Sequence, residues 1–172
     1  ALPVRKCLGE YNDGFLIDAR KLLKGDADQL QSFVWRMRRN PAGCAVINYI
    51  THHDGFTLAD LVSYDERHNE ENGERGYDGN PDNYSWNCGC EGPSRKKKIQ
   101  ELRLRQMRNA FAMVLLSAGT PMLLGGDEFG NSQSGNNNPY CLDSPVSWVD
   151  WSGLRRNNNL HDFVQKLTAF RR

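Results

Sequence analysis

The stretch CAVINYITHHDGF, residues 44–56, constrains the chain more than any other. From Cys44 to Ile50 it is a continuous apolar run rather than an alternating one, the pattern of a parallel strand covered on both faces. It then stops on His52, His53 and Asp54, costly side chains to leave at the edge of a core. Side chains alternate along a strand, so His53 and Asp54 reach one pocket only if the chain twists or bulges at the strand end. Two readings stay open at this point. In one, a buried histidine is tied to a backbone carbonyl and Asp54 caps the next segment. In the other, both groups are presented to a ligand. A metal set completed by Asp65 and His68 matches no recognised ligand spacing.

The flanking elements follow from periodicity. Residues 12–25 read as a short helix with a glycine stop at Gly25, and Asp28 can cap a second helix through Arg39, with Leu30, Phe33, Val34 and Met37 at helical spacing. Leu58 to Tyr64 is short and partly helical. Residues 65–94 are polar and turn-rich, and the aromatics Tyr77, Tyr84 and Trp86 point to a folded excursion. Arg95 to Ser117 is the clearest helix, with Ile99, Leu102, Met107, Ala110, Phe111 and Val114 on one broad face. Arg103 falls within that arc and is expected to reach along the core to a carboxylate. Met122-Leu123-Leu124 begins a second buried strand that closes on Asp127-Glu128, and residues 160–171 form a last amphipathic helix. Strands alternating with helices imply a parallel α/β fold, with the chemistry just past the C-terminal ends of the strands. Both a β/α barrel and an open doubly wound sheet place it there.

Composition limits the function classes. A net charge of +1 argues against a nucleic-acid or acidic-membrane partner. The longest apolar stretch, Ala110 to Leu116, is far too short for a membrane span. Arg5 and Lys6 are followed by no signal-peptide core. The five cysteines (Cys7, Cys44, Cys88, Cys90, Cys141) show no framework spacing, which reads as free thiols in a reducing compartment and a cytoplasmic chain.

Adjacent carboxylates on a strand face opposite sides, so Asp127 and Glu128 make a poor glycosidase pair, whose carboxyls must converge at about 5–5.5 Å. One of them is better read as the partner of a buried cation such as Arg103. Asn136, Asn137 and Asn138 lie in an amide-rich loop suited to an uncharged polyol. Trp86, Trp148, Trp151 and Tyr140 are candidates to stack on pyranose faces.

In order along the chain, NYITHHDGFTLADLVSYDERHNEENGE, DGN..NYSWNCGCEG, LRLRQMRNAFAMVLLSAGTPMLLGGDEFGNSQSGNNNPYCLD and WVDW closely resemble the isoamylase-type glycogen debranching enzymes of the α-amylase superfamily, glycoside hydrolase family thirteen. The resemblance implies a (β/α)8 TIM barrel, of which this chain carries the seventh and eighth strand-helix units only: a partial barrel, with residues 1–172 as the C-terminal fragment of the catalytic domain and no complete second domain. It implies a retaining hydrolase acting on α-1,6 branch linkages of glycogen, amylopectin or limit dextrin, without a cofactor. By that resemblance His53 binds sugar hydroxyls in the cleavage subsite and Asp54 stabilises the oxocarbenium-like transition state. Trp86, Asn136, Asn137, Asn138, Tyr140 and Trp148 are the expected substrate-binding residues, and no metal ligand is expected. The family's nucleophilic aspartate and acid/base glutamate match nothing here, so the 172 residues are expected to be inactive alone and to need the N-terminal part of a barrel as partner. A non-catalytic glucan-binding module, and an α-1,4 hydrolase or branching enzyme of the same superfamily, are the alternatives.

Overall fold

A computed structural model describes residues 8–172; Arg5, Lys6 and Cys7 lie outside the described residues. Three short strands, β1 (Gly9–Tyr11), β2 (Ala45–Asn48) and β3 (Thr120–Pro121), form one parallel sheet in the order β1-β2-β3. Helices α1 (Asp13–Lys24) and α2 (Gln29–Arg38) cross from β1 to β2. The crossover from β2 to β3 carries α3 (Leu58–Leu61), the long excursion and α4 (Lys97–Leu115). After β3 come α5 (Gly153–Arg156) and α6 (Asn158–Arg171).

The middle strand opens on Ala45, Val46 and Ile47, an apolar run of the kind a strand with neighbours on both sides favours. Tyr11 pairs with Ile47 on one side of β2, and Ile47 and Asn48 pair with Thr120 and Pro121 on the other. Asn48 is nonetheless fully buried. Its amide oxygen accepts from Asn12 Nδ2 at 2.8 Å and its own Nδ2 donates to the carbonyl of Ala118 at 2.6 Å. One side chain thus ties together the C-terminal side of β1, β2 itself and the approach to β3. A buried amide with these partners in place costs little, and an apolar replacement would orphan Asn12.

The local signals worked where they were specific. Asn12 caps α1 by accepting from the Phe15 N–H at 3.2 Å, and Gly25 ends it at φ +94° with its N–H on the Leu22 and Lys21 carbonyls. Three expectations need correction. Asp28 sits at the start of α2 but its side chain makes no capping hydrogen bond. Strand β1 has no signal in the sequence, because Gly-Glu-Tyr is too short and polar to show a period. The third strand lies earlier than Met122–Leu124: the ladder runs through Thr120–Pro121, is extended by Met122 N–H donating to the Asn48 carbonyl at 2.9 Å, and then leaves the sheet. Leu123 and Leu124 line an open groove beside Val164 and Ala169 of α6.

The core lies between the sheet and the helices and is built from Phe15, Ala19, Phe33, Ile50, Phe56, Leu58, Leu61, Phe111, Val114, Leu160 and Val164. Each fully buried large side chain contributes about 1.5–3 kcal/mol. Arg103 is buried at the edge of this core and finds no carboxylate. Its guanidinium donates to the carbonyls of Gly92 (2.8 Å), Asn87 (3.0 Å) and Cys90. Helix α4 therefore holds the end of the 65–94 excursion by a charge spread over carbonyl dipoles, an alternative to an ion pair that the sequence does not reveal.

Candidate functional site

Strand β2 ends at Asn48, so His52, His53 and Asp54 lie on a turn beyond it and strand alternation does not govern them. Gly55 takes φ +120°, with open space around it, and swings the chain back towards α3. His52 turns inward: its Nδ1 accepts from the Asp54 N–H at 3.2 Å and its ring stands edge-on to Tyr49 at 5.1 Å. Burial, followed by the nearby Arg20 cation, pulls the His52 pKa below the ordinary value and favours this neutral acceptor form. His53 and Asp54 face solvent, with the His53 ring 5.4 Å from that of His52. The turn thus offers an imidazole and a carboxylate side by side at the C-terminal end of the central strand.

The floor of the turn is built from groups far apart in sequence. Asp127, 1 % exposed, accepts from the Thr51 hydroxyl at 2.5 Å and from the Leu58 N–H at 2.9 Å. Burial pushes its carboxyl up to about 7, with both hydrogen bonds working against the shift. Arg20 of α1, also buried, donates from Nε to the Ile50 carbonyl at 2.7 Å and from Nη1 to the Asn83 carbonyl at 2.9 Å. Desolvation lowers its pKa to about 10, and the field of Asp127 opposes that. The cation coupled to Asp127 is therefore Arg20, not Arg103. These two acids lie in a 3-10 turn, Asp127–Phe129, and not on a strand; Asp127 points into the core while Glu128 accepts from the Gly126 N–H at 2.8 Å.

The asparagine loop is organised differently. Asn136 and Asn137 are buried, and their amides bond to Asn72 and to Asn69, Asn80 and Asn83 of the long excursion. Asn138 donates to Asp78 Oδ2 at 2.8 Å, and the Asn137 carbonyl accepts from Gly55 N–H at 3.0 Å. These amides knit one loop to another and support the turn from the side. Trp86 sits among Arg20, Leu23, Lys24 and Gln106, between α1 and α4, as an anchor of the excursion. Tyr140 and Trp148 are exposed, the latter held by Nε1 donating to Asp143 at 2.9 Å; Trp151 packs on Phe129 with ring centres 5.6 Å apart. His68 lies against Glu91 at 3.4 Å. Among the described residues no group of three or more His, Cys, Asp or Glu side chains converges. Thr51, Asp127 and Arg20 are the site-forming residues without a local sequence signal.

The parallel sheet, with polar groups beyond its middle strand, is similar in fold to part of the pullulanases. The pullulanase from Bacillus acidopullulyticus superposes with a TM-score of 0.65 at 20% identity, over 95% of this chain and 18% of that one. The pullulanase from Anoxybacillus sp. LM18-11, complexed with maltotetraose, gives 0.63 at 23% identity over 95% and 22%. No protein-family model matches. The Glycogen operon protein GlgX homolog of Mycobacterium tuberculosis (strain ATCC 25618 / H37Rv) is 46% identical over 95% of this chain and 24% of its own length. Isoamylase 3, chloroplastic, of Oryza sativa subsp. japonica is 39% identical over 94% and 22%. Glycogen debranching enzyme of Erwinia tasmaniensis is 43% identical over 95% and 26%. By sequence the chain belongs with the isoamylase-type glycogen debranching proteins, and it spans about a quarter of the length of the curated relatives it matches.

Proposed function

We propose that residues 8–172 form one wall of the active site of a retaining debranching hydrolase acting on α-1,6 linkages of a glycogen-like glucan. In this reading β2 and β3 are the seventh and eighth strands of a (β/α)8 barrel. The observation that carries it is the turn at 52–54, where His53 and Asp54 stand exposed together on a braced support. Asp54 is the fixed anion beside developing oxocarbenium charge, effective because it is placed before reaction. His53 bonds sugar hydroxyls. Tyr140 and Trp148 are the exposed aromatics able to stack on pyranose faces, with Asn138 at the rim, and Asn136, Asn137 and Trp86 keep that rim in shape. The nucleophile and acid/base come from residues other than these 172. Among the described residues Cys44, Cys88, Cys90 and Cys141 form no disulfide with one another, in keeping with a reducing setting.

The test is a chimera in which residues 8–172 replace the matching segment of the Mycobacterium tuberculosis homologue. Debranching of glycogen should persist, and Asp54→Ala within the chimera should lower kcat by about a thousandfold, the scale of losing one preorganised electrostatic group. An active chimera indifferent to Asp54→Ala and His53→Ala refutes the assignment. The 172-residue chain alone should release no linear maltooligosaccharide.

A further inference from the structure

We propose that Asp127 is a positioning residue for the sugar subsite, bracing both ends of the turn that carries His53 and Asp54. The inference rests on the subsite reading above and adds the device that holds the site in place. One carboxyl group, from the 3-10 turn after β3, reaches the Thr51 hydroxyl just before the histidines at 2.5 Å and the Leu58 N–H just after them at 2.9 Å. Between those two points Gly55 takes φ +120°, a backbone conformation that glycine adopts without strain. Further backbone ties in this span are Gly55 N–H to the Asn137 carbonyl at 3.0 Å and Asp54 N–H to His52 Nδ1 at 3.2 Å. Phe56 and Leu58 anchor the C-terminal half of the segment in the core; without Asp127 the Thr51 hydroxyl and the Leu58 N–H lose their shared partner, and the two exposed side chains would sample more orientations at a cost in preorganisation.

The brace also has a protonation state. The charged groups around Asp127 are Arg20 from α1, Asp60 from α3 and Glu128 from its own turn. Burial above all, then Asp60 and Glu128, favours the neutral acid, whereas the two hydrogen bonds and Arg20 favour the carboxylate. The balance puts the carboxyl at about 7. A neutral acid keeps both bonds, with its O–H donating to Thr51 and its carbonyl oxygen accepting from Leu58. When the turn opens, the group returns to an ordinary carboxylate value and releases its proton. The closed turn therefore binds more protons than the open one between about pH 4 and 7, and opening becomes easier as pH rises through that window.

Amide hydrogen exchange on the full 172-residue chain tests this, with maltotetraose titrations in parallel. In the wild type, protection of residues 54–58, corrected for intrinsic exchange, should fall as pH rises from 5 to 7 and level off above. Asp127→Asn, which keeps a donor and an acceptor but cannot titrate, should retain protection and flatten the pH profile. Asp127→Ala and Thr51→Val should each cost about tenfold in protection there, the scale of one lost buried hydrogen bond, leave α4 amides unchanged and weaken maltotetraose binding. Equal protection of 54–58 in wild type and Asp127→Ala overturns the brace, as does an equal loss in α4. If instead the brace responds as expected but His53→Ala leaves maltotetraose binding unchanged, the subsite reading fails and the positioning role fails with it.

Discussion

The turn at 51–58 and the loop at 133–138 are both polar, glycine-containing stretches that follow a strand and lie side by side, joined by the Gly55–Asn137 hydrogen bond. They have opposite fates. In the turn, the buried partners (Asp127, Arg20) come from elsewhere and hold the backbone, so His53 and Asp54 are left unengaged and exposed. In the loop, the side chains themselves are the partners: Asn136 and Asn137 spend their amides on Asn69, Asn72 and Asn83 and disappear from the surface. A polar residue is available for function when its neighbours' backbone, and not its own side chain, satisfies the fold.

The sharpest way to break this contrast is to delete one side chain from each region. Asn137→Ala orphans amide and carbonyl groups on Asn69, Asn80 and Asn83, and should cost about 3 kcal/mol in denaturant unfolding. A loss under 0.5 kcal/mol would mean that the loop amides are dispensable and free to serve a ligand. Arg103→Met tests the same principle at the excursion, since it releases the carbonyls of Gly92, Asn87, Cys90 and Ser63; about 2–3 kcal/mol and faster proteolysis between residues 85 and 92 are expected.

A smaller effect is tied to pH. Because Asp127 binds its proton more tightly folded than unfolded, its contribution favours the native state most below about pH 4 and is lost as pH climbs to about 7. Asp127→Asn should remove that decline, measured as denaturation midpoints against pH. A wild-type profile that rises instead would show that Asp127 is held ionised by Arg20. Smallest of all, His53→Ala and Asp54→Ala should each change stability by less than about 0.5 kcal/mol, as exposed positions do.

The comparison also shows which parts of the molecule its sequence could reveal. Strand β2 and helix α4 were legible because their signals are local: a run of apolar residues, or a 3.6-residue period sustained over five turns. Strand β1 was invisible, because three residues of Gly-Glu-Tyr acquire their identity only by pairing with Ala45–Ile47. That His53 and Asp54 lie beyond a buried strand was legible for the same local reason, although β2 stops at Asn48 and leaves them on a turn. Their support was not. Asp127 and Thr51 are 76 residues apart in sequence, and nothing in GGDEFG distinguishes a core-facing acid from a rim acid. Nor does NNNP say which way its amides turn, since the answer lies in the partner loop at 69–83.

The most direct test of the account is a heteronuclear NMR titration of the 172-residue chain with maltotetraose, following the His53 ring and the backbone amides of 51–58 and 133–138. The account expects saturable shifts at His53, Asp54 and Gly55, none at the Asn136 and Asn137 side-chain amides, and their loss in Asp54→Ala. Shifts confined to the asparagine loop, or an unperturbed 51–58 turn in the presence of saturating sugar, would contradict it.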